Sequence, residues 1–257
     1  MANVSPFSKM DHRVIVKCSN CGFVFAQIYE EKELERVYRE SYYESAKDPR
    51  IQIWIDRFQK TWLGLVEDLR LAKPVIGSLI DIGAGTGGFL LTYFEASPKT
   101  ALFAVESSIQ AREHLLSRIR ELKFPVDTAE DLNQIRQQFD AVVLLQSLEH
   151  VSEPLVVCQE IYRILNDDGV FFITVPNRFS IDGLFGNKSV TRCYGNKSHL
   201  QFFSHATISA MLKRAGFKDI RRINRFGGSE AKGMRAILQF FLRQLGFSSE
   251  LRYVVKK

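Results

Sequence analysis

Three glycines and two acids pose the first chemical question. Gly83, Gly85 and Gly87 follow the apolar run "SLIDI" (78–82) as G-x-G-x-G, with Asp81 two residues before the first glycine. Glu106 ends the next apolar run, "ALFAVE" (101–106). A loop without side chains lets backbone N–H groups approach a ligand, and a strand-end carboxylate offers two acceptor oxygens to a vicinal diol. A phosphate-cradling loop would close on Gly-Lys-Ser/Thr, whereas this one runs on as Gly87-Gly88-Phe89. Gly83, Gly85 and Gly88 also fit the dinucleotide spacing G-x-G-x-x-G, so on the glycines alone a nicotinamide-dependent oxidoreductase stays open.

The loop needs a scaffold, and the sequence supplies one. Short apolar runs at 78–82, 101–106, 123–128, 139–145 and 169–175 predict strands. Helical patterns near 87–96, 108–121 and 153–165, with a short one near 130–136, fall between them. Two more strands are expected at 217–226 and 251–257, and a helix at 204–215 stops at Gly216. Strands alternating with helices predict an α/β fold, a doubly wound, mostly parallel, seven-stranded Rossmann-like sheet. Upstream, "RVIVKCSNCGFVFAQI" (13–28) reads as a hairpin turning at Ser19–Gly22, and "EEKELERVYRESYYES" as a charged helix. Trp54, Phe58, Trp62, Leu65, Val66 and Leu69 recur at steps of three and four, an amphipathic helix ending near Pro74. The expected division is a cap over 1–73 and a ligand-binding domain over 74–257. Within the latter, the polar stretch 176–203 is too long for a plain turn and reads as a lid.

Three motifs then carry a family resemblance. "DIGAGTGGF" is similar to the acidic-x-G-x-G-x-G loop of class I S-adenosylmethionine-dependent methyltransferases. "FDAVVLLQSLEHVSEPLVVCQEIYRILNDDGVFFITVPN" (139–177) resembles that family's strand, LEH turn, helix, turn and strand block, with Asp168-Gly169 where Gly-Gly is usual. "HLQFFSHATISAMLKRAGF" (199–217) is similar to its segment before the sixth strand. The branch most resembled includes ubiquinone-biosynthesis-like O-methyltransferases.

The resemblance implies S-adenosylmethionine as cofactor and a small-molecule methyl acceptor, most readily methylated on oxygen. N- or C-methylation of a sugar or natural-product intermediate is the alternative, and a non-catalytic cofactor-binding protein is another. It implies that the loop at Gly83, Ala84, Gly85 and Gly87 cradles the methionine part of the cofactor. Asp81 would hold the loop and the cofactor's amino group, and Glu106, followed by Ser107, the ribose hydroxyls. Thr128, Ala129 and Glu130 would flank the adenine, and Gln146 would line the floor between cofactor and acceptor. His199 and His150 are the candidate bases at the acceptor, and Glu149 is expected to fix the turn that carries His150. The competing reading of His150 is a backbone hydrogen bond that holds its turn. His12 and His114 read as surface residues, and His205 as structural or exposed.

"KCSNCGF" resembles half of the zinc ribbon that many relatives carry, with Tyr38, Tyr42 and Tyr43 fitting the tail that follows. Its partner pair is missing from residues 1–17, and structural zinc wants four ligands, so no metal is expected. Four cysteines give no secreted disulfide framework. Neither a signal peptide nor an apolar run of membrane-spanning length is visible, so a cytoplasmic location is expected. Hydrophobic residues make up 46% of 257, enough for a sizeable core. A net charge of +6, scattered along the chain, gives no nucleic-acid patch. The apolar, basic stretch 231–247 reads as a packed helix and leaves open a weak peripheral contact with a membrane. Oligomeric state has no sequence signal.

Overall fold

The computed structural model describes residues 4–10, 13–27, 50–180, 193–223 and 247–257, with positions 32, 36, 241 and 245. The charged helix expected over 30–45, its tyrosines, His12 and most of 231–247 lie outside the described residues. The chain begins with three antiparallel strands, β1 (Val4–Met10), β2 (Arg13–Cys18) and β3 (Val24–Gln27). β2 and β3 form the expected hairpin. Gly22 stands at φ +70° in its turn, a conformation that side chains disfavour. Helix α1 (Arg50–Ala72) follows, with Leu65, Val66 and Leu69 buried at the expected helical spacing.

Then the strands and helices alternate: β4 (Ser78–Ile82), α2 (Gly88–Ala96), β5 (Ala101–Val105), α3 (Ile109–Leu122), β6 (Val126–Ala129) and β7 (Phe139–Leu145). A 3-10 turn at Leu148–His150 leads into α4 (Pro154–Ile164) and β8 (Leu165–Pro176). The chain closes with β9 (Gln201–Phe202), α5 (His205–Arg214), β10 (Asp219–Arg222) and β11 (Glu250–Lys256). β6 starts later than the sequence suggests because Lys123, at φ +53°, caps α3 in the left-handed region. The short helix near 130–136 is a single 3-10 turn, Leu132–Gln134, capped by Asp131. β8 starts earlier than expected: Leu165 already pairs with Phe139, and the register shift before Val170 absorbs the polar 166–169 stretch.

The large sheet has the order β10-β11-β8-β7-β4-β5-β6. β6, β5, β4, β7 and β8 run parallel, and β11 lies antiparallel between β8 and β10. This is the seven-stranded, mostly parallel Rossmann-like sheet that the alternation predicts. Its central strands β4, β7 and β8 are buried on both faces. Ile80, Ile82, Val142 and Leu144 pack into one core, while Leu79, Ala141 and Val143 pack into the other. The strand order reverses at β4, flanked by β5 and β7, so a crevice opens at the carboxyl ends of those strands.

A second sheet, β1-β2-β3-β9, joins strands at the beginning of the chain to Gln201–Phe202. Val24 pairs with Phe202 and Phe25 with Gln201. Ile15, Val24, Ala26, Cys193, Tyr194, Leu200 and Phe202 form its small core. Neither β1 nor the pairing of β3 with β9 is expected from the sequence.

Candidate active site

Each residue of the glycine loop has a separate physical task. Gly83, Gly85 and Gly87 all have positive φ, at 73°, 55° and 77°. A Cβ on Gly83 would stand 2.5 Å from the Ser147 hydroxyl, and one on Gly87 would strike the Leu115 side chain. A Cβ on Gly88 would strike the Trp62 ring, which lets α1 lie directly on the first turn of α2. Only Gly85 faces open space, with nothing within 4 Å of its Cβ position. Gly83 and Ala84 donate to the Val105 carbonyl at 2.8 and 3.1 Å, which ties the loop to the end of β5.

Glu106 clamps the loop from the other side. Its Oε2 accepts the Gly85 N–H at 2.7 Å and its Oε1 the Ser108 N–H at 2.9 Å. Each oxygen keeps a further lone pair. Burial raises the Glu106 pKa, against the two N–H groups and Arg112. Arg112, which the sequence reading passed over, donates to the Glu106 carbonyl at 2.9 Å and to Glu130 at 2.7 Å. It links the ribose-side acid to the residue expected beside adenine. An arginine in a charged helix carries no signal of its own, and only the fold brings it there. Ser107 and Thr128 are exposed at this rim, and Ala129 accepts the Glu106 N–H at 3.1 Å.

Asp81 is 2% exposed, and its Oδ1 has no hydrogen-bond partner. Burial first, then the neighbouring Glu106, pushes its pKa up to about 8. A buried carboxylate oxygen left without a donor is costly, and an ammonium group would relieve it. An unsatisfied acid, an open glycine and a carboxylate with spare acceptor capacity fit a ligand that combines an amino acid end with a ribose diol. S-adenosylmethionine has both.

Among the described residues Gln146 is, beside Lys123, the other non-glycine residue with positive φ, at 50°, just past β7. Its carboxamide donates to Thr174 at 3.2 Å and to Glu250 at 3.1 Å, so it is braced on β8 and β11. Beyond it, Glu149 and His150 meet His199, which lies just before β9. The two imidazoles stand edge to face with ring centroids 4.8 Å apart. The His150 Nδ1–H donates to the Ser198 carbonyl at 3.0 Å, and the His199 Nδ1–H donates to the Cys193 carbonyl at 2.8 Å. Burial lowers His150 to about 4, and burial together with His150 lowers His199 to about 3. Both rings are therefore neutral near pH 7, and imidazoles this hard to protonate are weak general bases. Glu149 is 1% exposed and burial pushes it up to about 8. Arg13, also 1% exposed, holds the 194–199 turn by donating to the carbonyls of Tyr194, Asn196 and His199 at 2.7–2.9 Å. His205 lies elsewhere, hydrogen-bonded through Nδ1 to the Tyr253 hydroxyl at 2.6 Å.

Cys18 and Cys21 flank the hairpin turn as free thiols. Among the described residues, the metal-ligating side chains that gather are Glu149, His150 and His199, not this pair.

A family model described as a methyltransferase domain matches residues 53–221, which span β4 to β8 and their carboxyl ends. The chain belongs to this methyltransferase family. The family's cofactor is S-adenosylmethionine, and a nicotinamide cofactor is set aside. Malonyl-[acyl-carrier protein] O-methyltransferase of Geobacter sulfurreducens is 30% identical over 155 residues, 55% of this chain and 56% of that protein. Ubiquinone biosynthesis O-methyltransferase of Xanthomonas axonopodis is 26% identical, over 57% of this chain and 64% of that one. The chain thus spans less than two thirds of either relative. The fold is shared with 1,6-didemethyltoxoflavin-N1-methyltransferase of Burkholderia thailandensis, solved with its substrate and S-adenosylhomocysteine. That likeness has a TM-score of 0.60 at 16% identity and covers 98% of this chain and 99% of that one. Among the described residues no helix is long and apolar enough to cross a membrane.

Proposed function

We propose that this protein transfers the methyl group of S-adenosylmethionine to an oxygen of a small-molecule acceptor. The observation that carries the reading is the Glu106–Gly85 clamp beside the unsatisfied Asp81, at the crevice where the strand order reverses. Oxygen is favoured by the curated relatives, which are O-methyltransferases.

Bound there, the cofactor supplies an electrophilic methyl group, so the protein's work is alignment and exclusion of water. Asp81 takes the cofactor's ammonium, and Glu106 takes the ribose hydroxyls on its remaining lone pairs. Gly85 leaves room for the methionine chain. Gln146 forms the floor, and the rim of Thr128, Ala129 and Glu130 flanks adenine. His150 and His199 border the acceptor, between the LEH turn and the lid. We assign the cap (1–73) and the lid (176–203) to the acceptor side of the domain 74–257, because β3 and β9 join them in one sheet.

Calorimetry with S-adenosylhomocysteine and with NAD tests the cofactor, the former binding and the latter not. Replacing His150 and His199 separately then tests the acceptor side. Turnover should fall while affinity for S-adenosylhomocysteine is kept; unchanged turnover in both variants would remove the histidines from the reaction.

A further inference from the structure

Gln146 sits between the two sides of the site. On one side its neighbour Ser147 reaches the glycine loop, with its hydroxyl 3.5 Å from the Gly83 carbonyl. On the other, the turn Leu148–His150 meets residues 198–200. The positive φ of Gln146 is held by its own N–H, which donates to the Thr174 carbonyl at 2.9 Å and to the Thr174 hydroxyl at 3.2 Å. Backbone strain of this kind persists where the surrounding structure fixes a side chain for a task.

The carboxamide has one permitted orientation. The Glu250 carboxylate accepts hydrogen bonds, so the atom that faces it at 3.1 Å is Nε2. Nε2 also donates to the Thr174 hydroxyl at 3.2 Å, which uses both of its protons. Oε1 accepts no hydrogen bond from any described residue and is not buried, so water reaches it. The Glu250 carboxylate is fixed in turn. Arg252 Nε donates to its Oε1, and Arg252 Nη1 lies 4.0 Å from Asp68 of α1, which is 5% exposed. Glu250 and Arg252 stand on β11, beyond the residues 53–221 that the family model matches, so the family supplies no role for them.

We propose that Glu250 is a positioning residue: it turns the Gln146 carboxamide so that Oε1 accepts a hydrogen bond from the group to be methylated. That group then carries a hydrogen, as a hydroxyl or an amine does. A carboxylate has no proton to offer Oε1 and would approach the Glu250 charge, so it is refused. A hydroxyl that donates to Oε1 keeps its lone pairs for the methyl carbon, and holding it in line is the alignment that the reaction needs. The nature of the acceptor rests on the methyl transfer proposed above; the orientation of the carboxamide does not.

The test uses the full chain with S-adenosylhomocysteine bound and follows the side-chain N–H signals of Gln146 by NMR, identified by their loss in Gln146→Met. One of them should be shifted downfield by Glu250. Glu250→Gln should remove that shift and keep the affinity for S-adenosylhomocysteine. Phenol and benzoate, which differ in whether the oxygen carries a hydrogen, are then titrated in. Phenol should move the Gln146 signals and benzoate should not, a comparison that needs no variant. Glu250→Gln should weaken phenol binding by about tenfold. Signals that ignore Glu250→Gln, that ignore phenol, or that respond equally to benzoate would overturn the proposal. Calorimetry on the same samples separates the two readings. Failure of S-adenosylhomocysteine to bind would remove both, whereas its binding with silent Gln146 signals would remove this one alone.

Discussion

Glu106 accepts the Gly85 N–H at 2.7 Å, so the acid expected to hold a ribose also holds the loop that faces the amino acid end of the cofactor. On the proposed reading, one side chain would touch both halves of the ligand. Glu106→Gln loses one acceptor pair and the charge. Affinity for S-adenosylhomocysteine should fall by about 10–100-fold, roughly 1.5–3 kcal/mol. Calorimetry at fixed pH measures it, and an unchanged affinity would refute the clamp.

The glycines should separate by what they lose. Gly85→Ala meets open space, so its cost to folding should be about 1 kcal/mol, from the positive φ alone. Its methyl group would instead enter the ligand's room, and binding should suffer most. Gly87→Ala adds a collision with Leu115 to the same backbone strain and should cost about 2–4 kcal/mol of stability. Denaturant unfolding and ligand calorimetry on both variants distinguish the two effects.

Asp81 makes cofactor binding sensitive to pH. Its pKa in the folded protein is about 8, against an ordinary value of 3.8, so the free protein holds a proton that the unfolded chain releases. A carboxylate raised in this way contributes stability that is present below pH 4 and lost as pH rises toward 8. Asp81→Asn should therefore stabilise the ligand-free protein at pH 8 by on the order of 2 kcal/mol, and little at pH 4. An incoming ammonium reverses the shift, so near pH 6.5 the wild type should release a proton on binding S-adenosylhomocysteine. Calorimetry in buffers of different ionisation enthalpy reads that proton, and Asp81→Asn should abolish it.

Much of this site is visible in the residues before any fold is known. Gly83, Gly85 and Gly87 announce themselves because positive φ restricts the choice of residue, and Glu106 because it ends an apolar run. Arg112 is silent, since helix arginines are common and its role arises only when β5 and β6 lie side by side. Gly88 looks like a ligand glycine and proves to be a packing one under Trp62. The cluster of Glu149, His150 and His199 is half legible. Both histidines stand out, but their meeting depends on the pairing of β9 with β3 and on the contact of residues 198–200 with the turn, and a two-residue strand such as β9 has no periodicity to read.

Thiol chemistry should split the four cysteines in pairs. Cys21 is exposed, and Cys18 is held below its usual pKa by the backbone N–H groups of Cys21 and Asn20. Cys158 and Cys193 are buried, and burial drives each up to about 12. A chromogenic disulfide reagent should titrate two thiols in the native protein and four in denaturant. Four fast thiols without denaturant would contradict the packing around Cys158 and Cys193.

Removing Arg13 should loosen the lid end. Three carbonyls of the 194–199 turn would lose their common donor, and Arg13→Met should cost about 3 kcal/mol or more. Hydrogen exchange should accelerate at residues 193–202 and leave β4 and β7 protected. Uniform acceleration across the large sheet would show that Arg13 supports the whole fold instead.

That same arginine lies 186 residues from the His199 carbonyl it holds. During synthesis β1, β2 and β3 leave the ribosome well before β9, and β3 keeps a bare edge until β9 follows. At roughly 5–20 residues per second that wait lasts about 10–40 s. The nascent hairpin is thus exposed to wrong partners for that whole interval, and the sheet that holds His199 in place cannot close before it ends.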